Sequence, residues 1–247
     1  MTETALVLTY HSISDMPGPT SIPLGVFAMQ METLSACGYK SATLDQFLAW
    51  HEGKAALDRR VLITFDDAFA DFADNAVPVL QRHGLSALMF VPTRKLGGVE
   101  DWYTAPATNR PLMRREQIVT LAGAGLEFGA HSRTHPHLTQ LSPAAREEEI
   151  GGSGDDLAEW LGRPTRAFAA PYGDVDAQVV GAIAGRYPAA FGTRFAKVRR
   201  GQDRHDIPRI DMHYFRNARA WRNFLEGGTL YFRARQAVRH LGQRIRG

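Results

Sequence analysis

The stretch RVLITFDDAFADF, residues 60–72, ends an apolar run on two adjacent aspartates. VLITF (61–65) is rich in β-branched and aromatic residues and short enough for a strand buried on both faces, the kind found in parallel sheets. In such sheets the chemistry collects at the carboxyl ends of the strands, which is where Asp66 and Asp67 stand. Neighbouring residues on a regular strand point to opposite faces, so both carboxylates can serve one pocket only if the chain leaves the pleat there. A helix predicted over Phe69 to His83 makes that exit feasible. The competing reading is that one of the two aspartates caps this helix.

Outward from this stretch, apolar runs alternate with amphipathic segments. The runs are 5–10, 86–91, 126–130, 167–170, 189–193 and 207–211, and the helical patterns are Phe27 to Cys37, Arg115 to Ala124, Pro143 to Leu161 and Asp176 to Arg186. This βα alternation, with no repeat and no long linker, predicts one parallel sheet, closed as a barrel or open and doubly wound.

The chain has 247 residues, 44% of them hydrophobic, enough to bury a full core as one large domain or two small ones. Cys37 is the only cysteine, which excludes an internal disulfide and reads as a small buried thiol. The opening MTETALVLTYHSI lacks a basic n-region and no segment has the length of a membrane span, so the expected location is the cytoplasm. Of 29 basic and 26 acidic residues, seven arginines and one glutamate fall in 217–247, which leaves 22 basic and 25 acidic residues for 1–216. The basicity belongs to the tail. The main body carries no basic stripe of the kind nucleic acid needs.

Two further clusters end apolar runs. LEFGAHSRTHPHL (126–138) carries His131 and His135, and Pro136 disfavours helix at His135. A carboxylate and two histidines form a recognised catalytic zinc set with one position left open, although histidine pairs also occur on ordinary loops. His137 reads as a bystander. FAAPYGDVD (168–176) reads by itself as a turn.

Taken in order, TFDD, HSRTH and APYG resemble the polysaccharide deacetylases of carbohydrate esterase family four, over roughly residues 5–211. LTYHSI and EDWY are similar to the branch containing poly-N-acetylglucosamine deacetylases. The resemblance implies a distorted (β/α)7 barrel in a single domain, with 217–247 as an added basic segment. It also implies a divalent metal, usually zinc, on Asp67, His131 and His135, with Asp66 as general base and the Tyr172 N–H at the oxyanion. Three departures stand out. Ala68 replaces a frequent glycine; Ala169 replaces the arginine that tethers the base, for which Arg209 is the candidate substitute against a plain ion pair with Asp211; and no late histidine motif supplies the acid, leaving His213 and His11 as candidates.

The long segment from Thr93 to Met113 is the expected substrate element. Trp102 and Tyr103, with Pro171, are its candidate sugar-binding residues, unless the aromatics fill a gap beneath the loop. In the tail, Leu230, Ala234, Val238, Leu241 and Ile245 recur at helical spacing among arginines. That stripe either packs the helix on the barrel or lies on the inner face of an anionic membrane. The expected function is metal-dependent removal of acetyl groups from N-acetylhexosamine units of a polymer, oligomer or lipid-linked glycan. An O-acetyl glycan esterase, a noncatalytic glycan-binding relative and a metal-independent amidohydrolase remain alternatives.

Overall fold

A computed structural model describes residues 3–246 other than 17, 19 and 103–107, with side chains up to residue 239. In chain order the elements are β1 (Thr4–Tyr10), α1 (Leu24–Ala36), β2 (Lys40–Ser41), α2 (Leu44–His51), β3 (Arg60–Phe65), α3 (Val77–Arg82), β4 (Leu88–Val91), α4 (Arg115–Gly123) and β5 (Glu127–Ala130). There follow α5 (Pro143–Leu161), β6 (Ala167–Ala169), α6 (Ala177–Ala184), β7 (Ala189–Phe191), β8 (Val198–Arg199), β9 (Ile210–Asp211), α7 (Ala218–Leu225) and α8 (Leu230–Arg246).

The strands β7, β6, β5, β4, β3 and β1 lie side by side in that order, all parallel. β2 pairs with β3, and β8 adds to β1 in antiparallel sense. Closure comes from 207–211. Phe191 of β7 bridges Ile207, and three to four residues later β9 pairs in parallel with β1. One segment therefore reaches from one edge of the sheet to the other and curls it into a distorted barrel.

Alternation along the strands divides the apolar residues into two cores. Leu6, Leu8, Tyr10, Ile63, Phe65 and Met89 pack with the helices, while Val7, Leu62, Leu88, Phe90, Ala167, Ala169 and Phe191 pack together inside. The inner core interleaves small alanines with large rings, and Phe90 and Phe191 meet at 5.3 Å between centroids. α2 belongs to this inner cluster: Phe47 sits 6.0 Å from Phe191, with Trp50 beside it. Each such ring removed from water contributes roughly 2–3 kcal/mol.

The sequence reading placed no helix at 44–51, yet Thr43 and Gln46 form a capping box there. The helix expected from Phe69 begins later, after Asp71, and opens with a π-helical turn over Phe72–Ala76. Cys37 is half-buried rather than buried, with Arg222 Nη1 at 3.8 Å. α8 packs on the barrel through a face the apolar pattern did not mark. Phe232 is buried against Phe195 and Phe224, Gln236 donates to the Phe195 carbonyl and Arg239 to that of Thr193. Leu230 and Val238 are 83% and 65% exposed, while the side chains of Leu241 and Ile245 lie outside the described residues. No helix among the described residues is long and apolar enough to cross a membrane.

Candidate metal centre and active site

The carboxyl ends of β1, β3, β5, β6 and β7 converge on one pocket lined by His11, Asp66, Asp67, His131, His135, Ala170, Tyr172, Gly173 and Thr193. Asp66 still belongs to the β3 ladder, its N–H donating to the Tyr10 carbonyl at 3.0 Å. Asp67 then turns into the left-handed region at φ 74°, followed by Ala68 at 56°. The chain thus leaves the pleat between the two aspartates, which brings both carboxylates to one pocket. Neither caps a helix.

Ser132 (φ 62°), His135 (62°) and Tyr172 (60°) share this rare backbone conformation. Among the described residues, five of the seven non-glycine residues with positive φ therefore lie in the three strand-end segments. Strain concentrated in this way is characteristic of built sites.

Asp67 Oδ1 lies 3.2 Å from His131 Nε2 and 3.3 Å from His135 Nε2, and ligand atoms of the three side chains fall within 4.8 Å of one another. All three residues are at least 95% buried. His131 Nδ1 donates to the Ala169 carbonyl at 2.7 Å, which fixes the ring and points Nε2 at the carboxylate. Among the described residues, buried His135 Nδ1 has no hydrogen-bond partner. Burial alone would raise the Asp67 carboxyl, but hydrogen bonds from His131 and His135 outweigh it and hold the group well below the ordinary carboxylate range. Burial likewise opposes the charge on His131, yet the Asp67 hydrogen bond raises it; at His135 burial wins and lowers it. One ionised carboxylate and two imidazoles whose Nε2 atoms both face it fit a divalent cation with an open coordination position.

Asp66 has a different partner. Arg209 grips it through two bonds of 2.7 Å, while its Nε donates to the Gly192 carbonyl and Nη1 reaches Thr64 Oγ1. The guanidinium is 98% buried and lies over the Phe90 ring. Burial raises the Asp66 carboxyl, but the charge and hydrogen bonds of Arg209 outweigh it, so the group stays ionised below its usual range. Asp211 does not pair with Arg209; it caps the His213 N–H and lies 3.7 Å from Arg239.

Of the two acid candidates, His11 reaches the pocket, with Nε2 3.8 Å from Asp66 Oδ2. His213 does not line it; its Nδ1 meets Arg216 at 3.2 Å. Burial and the neighbouring Arg216 charge lower the His213 imidazole. The His11 loop is anchored by Asp71, which accepts from Ser12 Oγ and Ile13 N–H.

Tyr172 presents an edge to His135 and stacks on His137 at 4.1 Å, which gives the supposed bystander a positioning contact. Burial and the Asp67 charge push the Tyr172 phenol up to about 12. Gly173 is required by its neighbour, since a Cβ there would come within 2.3 Å of Thr193 Oγ1. Thr193 is a pocket residue that the sequence reading did not single out, although it ends the 189–193 run. Pro171 is buried and does not line the pocket. Trp102 is not an open platform: its indole stacks on His135 at 4.2 Å. Tyr103 lies outside the described residues.

The loop bearing Trp102 is fastened by a buried pair. Arg110 donates to both oxygens of Glu100, at 2.6 and 2.7 Å, and also to Ser21 and Thr20, with its guanidinium 4.1 Å above Phe69.

The polysaccharide deacetylase family model matches residues 53–186, just over half of the chain and both aspartate and histidine clusters. The chain belongs to the polysaccharide deacetylase family. A Bacillus subtilis relative named for that family, YxkH, is 27% identical over 168 residues, 68% of this chain and 56% of its own length. The poly-β-1,6-N-acetyl-D-glucosamine N-deacetylase of Staphylococcus epidermidis is 26% identical over 194 residues, 74% of this chain and 65% of that protein. The chain thus spans a little over half to about two thirds of these curated relatives. The IcaB structure from Ammonifex degensii superposes with a TM-score of 0.75 at 23% identity, covering 92% of this chain and 98% of that one. At that identity the likeness establishes the fold, a barrel with helices around it.

Proposed function

We propose that this deacetylase-family protein removes acetyl groups from N-acetylhexosamine units of a glycan, as a metal-dependent hydrolase. The observation that carries the reading is the division of labour between adjacent aspartates. Asp67 faces two histidines, and Asp66 is held apart by Arg209. A divalent cation on Asp67, His131 and His135, zinc in this reading, would polarise the acetyl carbonyl and acidify the attacking water.

The remaining work falls to the chain itself. Asp66, ionised and buried, accepts a proton from water as its oxygen attacks the acetyl carbon. The carbonyl oxygen gains charge, for which the backbone N–H of Tyr172 is the donor; losing one such donor costs about 3 kcal/mol in other hydrolases. The carbon–nitrogen bond then breaks, the electron pair leaves on nitrogen, and His11 supplies the proton that makes it an amine. Acetate is the other product. His11 takes this role over His213 because it shares the pocket with Asp66.

Acetate release from a panel of N- and O-acetylated oligosaccharides, with and without chelator, tests the reading. Release from N-acetyl substrates that chelator abolishes and added metal restores is expected. Exclusive release from O-acetyl esters would instead make this an esterase, and no release from any substrate would leave a glycan-binding relative.

A further inference from the structure

A basic groove leads away from the catalytic pocket along the barrel's C-terminal helix. Gly173 and Thr193 form the wall shared by that pocket and a side cavity of about 200 Å³, whose far side is Arg194, Gln236 and Arg239. Arg194 and Gln236 in turn line a larger cavity of about 570 Å³ that continues past Lys197, Arg199 and Arg233. The three cavities are contiguous, each sharing lining residues with the next.

Its charge is strongly one-sided. Asp206 is paired with Arg194, Asp211 lies 3.7 Å from Arg239, and Asp203 is the acid in the outer cavity. Among the described residues no carboxylate pairs with Lys197, Arg199 or Arg233. Lys197 sits over the Phe224 ring at 4.8 Å, and burial lowers its ammonium. The arginine-rich tail therefore has a structural use: α8 brings Gln236, Arg239 and Arg233 to this groove while Phe232 anchors the helix.

We infer that this groove binds acidic sugars or phosphate flanking the acetylated residue, so that the preferred substrate is an anionic glycan. Polar side chains and N–H donors in a row suit carboxylate and phosphate oxygens, whereas a polymer already carrying free amines meets like charge. The inference rests on the deacetylase reading, which sets where the acetylated sugar sits. Continuity with that pocket favours a glycan over nucleic acid as the occupant.

The test is calorimetric binding to the 247-residue chain at low salt, with three hexasaccharide probes. They are neutral chitohexaose, a hexasaccharide alternating N-acetylglucosamine with glucuronate, and chitohexaose carrying a terminal phosphate. At least one acidic probe is expected to bind about tenfold tighter than the neutral one, and added salt should erase the difference. Preference for uronate marks an acidic polymer; preference for phosphate alone marks a carrier-linked glycan. Arg199→Glu combined with Arg233→Glu, both exposed, should abolish the preference and leave chitohexaose binding unchanged. Equal affinity for all three probes, a preference that survives in the double variant, or tighter binding of a single-stranded oligonucleotide than of either acidic probe would overturn the inference. Binding needs no turnover. Absence of acetate release from every probe would therefore count against the deacetylase reading alone.

Discussion

Asp66 and Asp67 are neighbours in sequence with opposite surroundings, and their chemistry follows from that difference. Asp66→Asn removes the proton acceptor but no metal donor. It should keep metal binding and lower acetate release by about 10²- to 10⁴-fold, whereas His131→Ala should lose both; metal content and acetate measured on the same samples separate the two. In the proposed mechanism Arg209 sets the pH at which Asp66 works as the base. With Arg209 present, Asp66 is ionised above a lowered pKa, and its contribution to stability is present above the ordinary carboxylate pKa and lost as pH falls through the lowered one. In Arg209→Met the main opposition to burial at Asp66 is gone and only the weaker pull of His11 and His131 remains, so its pKa rises and the acidic limb of the rate profile should move to higher pH. A stability loss of about 3–5 kcal/mol should accompany this, as for other broken buried pairs. A fall in melting temperature without movement of the limb would make Arg209 structural only. Ala68, at φ 56°, carries backbone strain. Ala68→Gly should leave stability unchanged or raise it by up to about 1 kcal/mol in denaturant titration, against the usual cost of glycine.

At the scale of elements, the histidine loop is held from outside by α5. Arg133 clasps Asp156 with two bonds, and the N–H groups of Arg133 and Thr134 both reach Glu149. Gly152 makes room for this, since a Cβ there would stand 2.4 Å from Arg133 Cζ. Gly152→Ala should therefore displace the loop between His131 and His135 and weaken metal binding by about tenfold, as losses of supporting contacts do in other metal sites. Circular dichroism should remain unchanged, and unaltered metal affinity would show that the loop holds itself. The bounds of α5 were legible because Ser142, Pro143 and Gly162 are local stop and start signals. The need for Gly152 was not, because its partner lies 19 residues away and meets it only in the fold. The pairing of Arg209 with Asp66 was legible only as a choice between partners, since they are 143 positions apart. The π-helical turn after Asp71 had no sequence signal we could identify.

Across the whole molecule, βα alternation revealed the parallel sheet, and the family resemblance carried by three strand-end clusters implied the barrel, with those clusters meeting at one pocket. Closure was harder to read: Ile207, Ile210 and Asp211 touch both sheet edges through a segment with almost no regular strand. α8 was legible as a helix but not in its packing, because Tyr231, Phe232, Gln236 and Arg239 mix aromatic and polar groups rather than repeating an apolar stripe. The buried Glu100–Arg110 pair couples the loop bearing Trp102 to the rest of the fold. Glu100→Gln leaves the Arg110 charge buried without its counter-ion and should cost about 3–5 kcal/mol in thermal or denaturant unfolding. A loss below about 1 kcal/mol would mean that the guanidinium finds water instead. The account as a whole depends on one cation gathering Asp67, His131 and His135 from two strand ends. Anomalous scattering from crystals soaked in zinc tests that most directly: a single strong peak is predicted at the convergence of Asp67 Oδ1, His131 Nε2 and His135 Nε2, and a peak elsewhere, or none at that point, would contradict it.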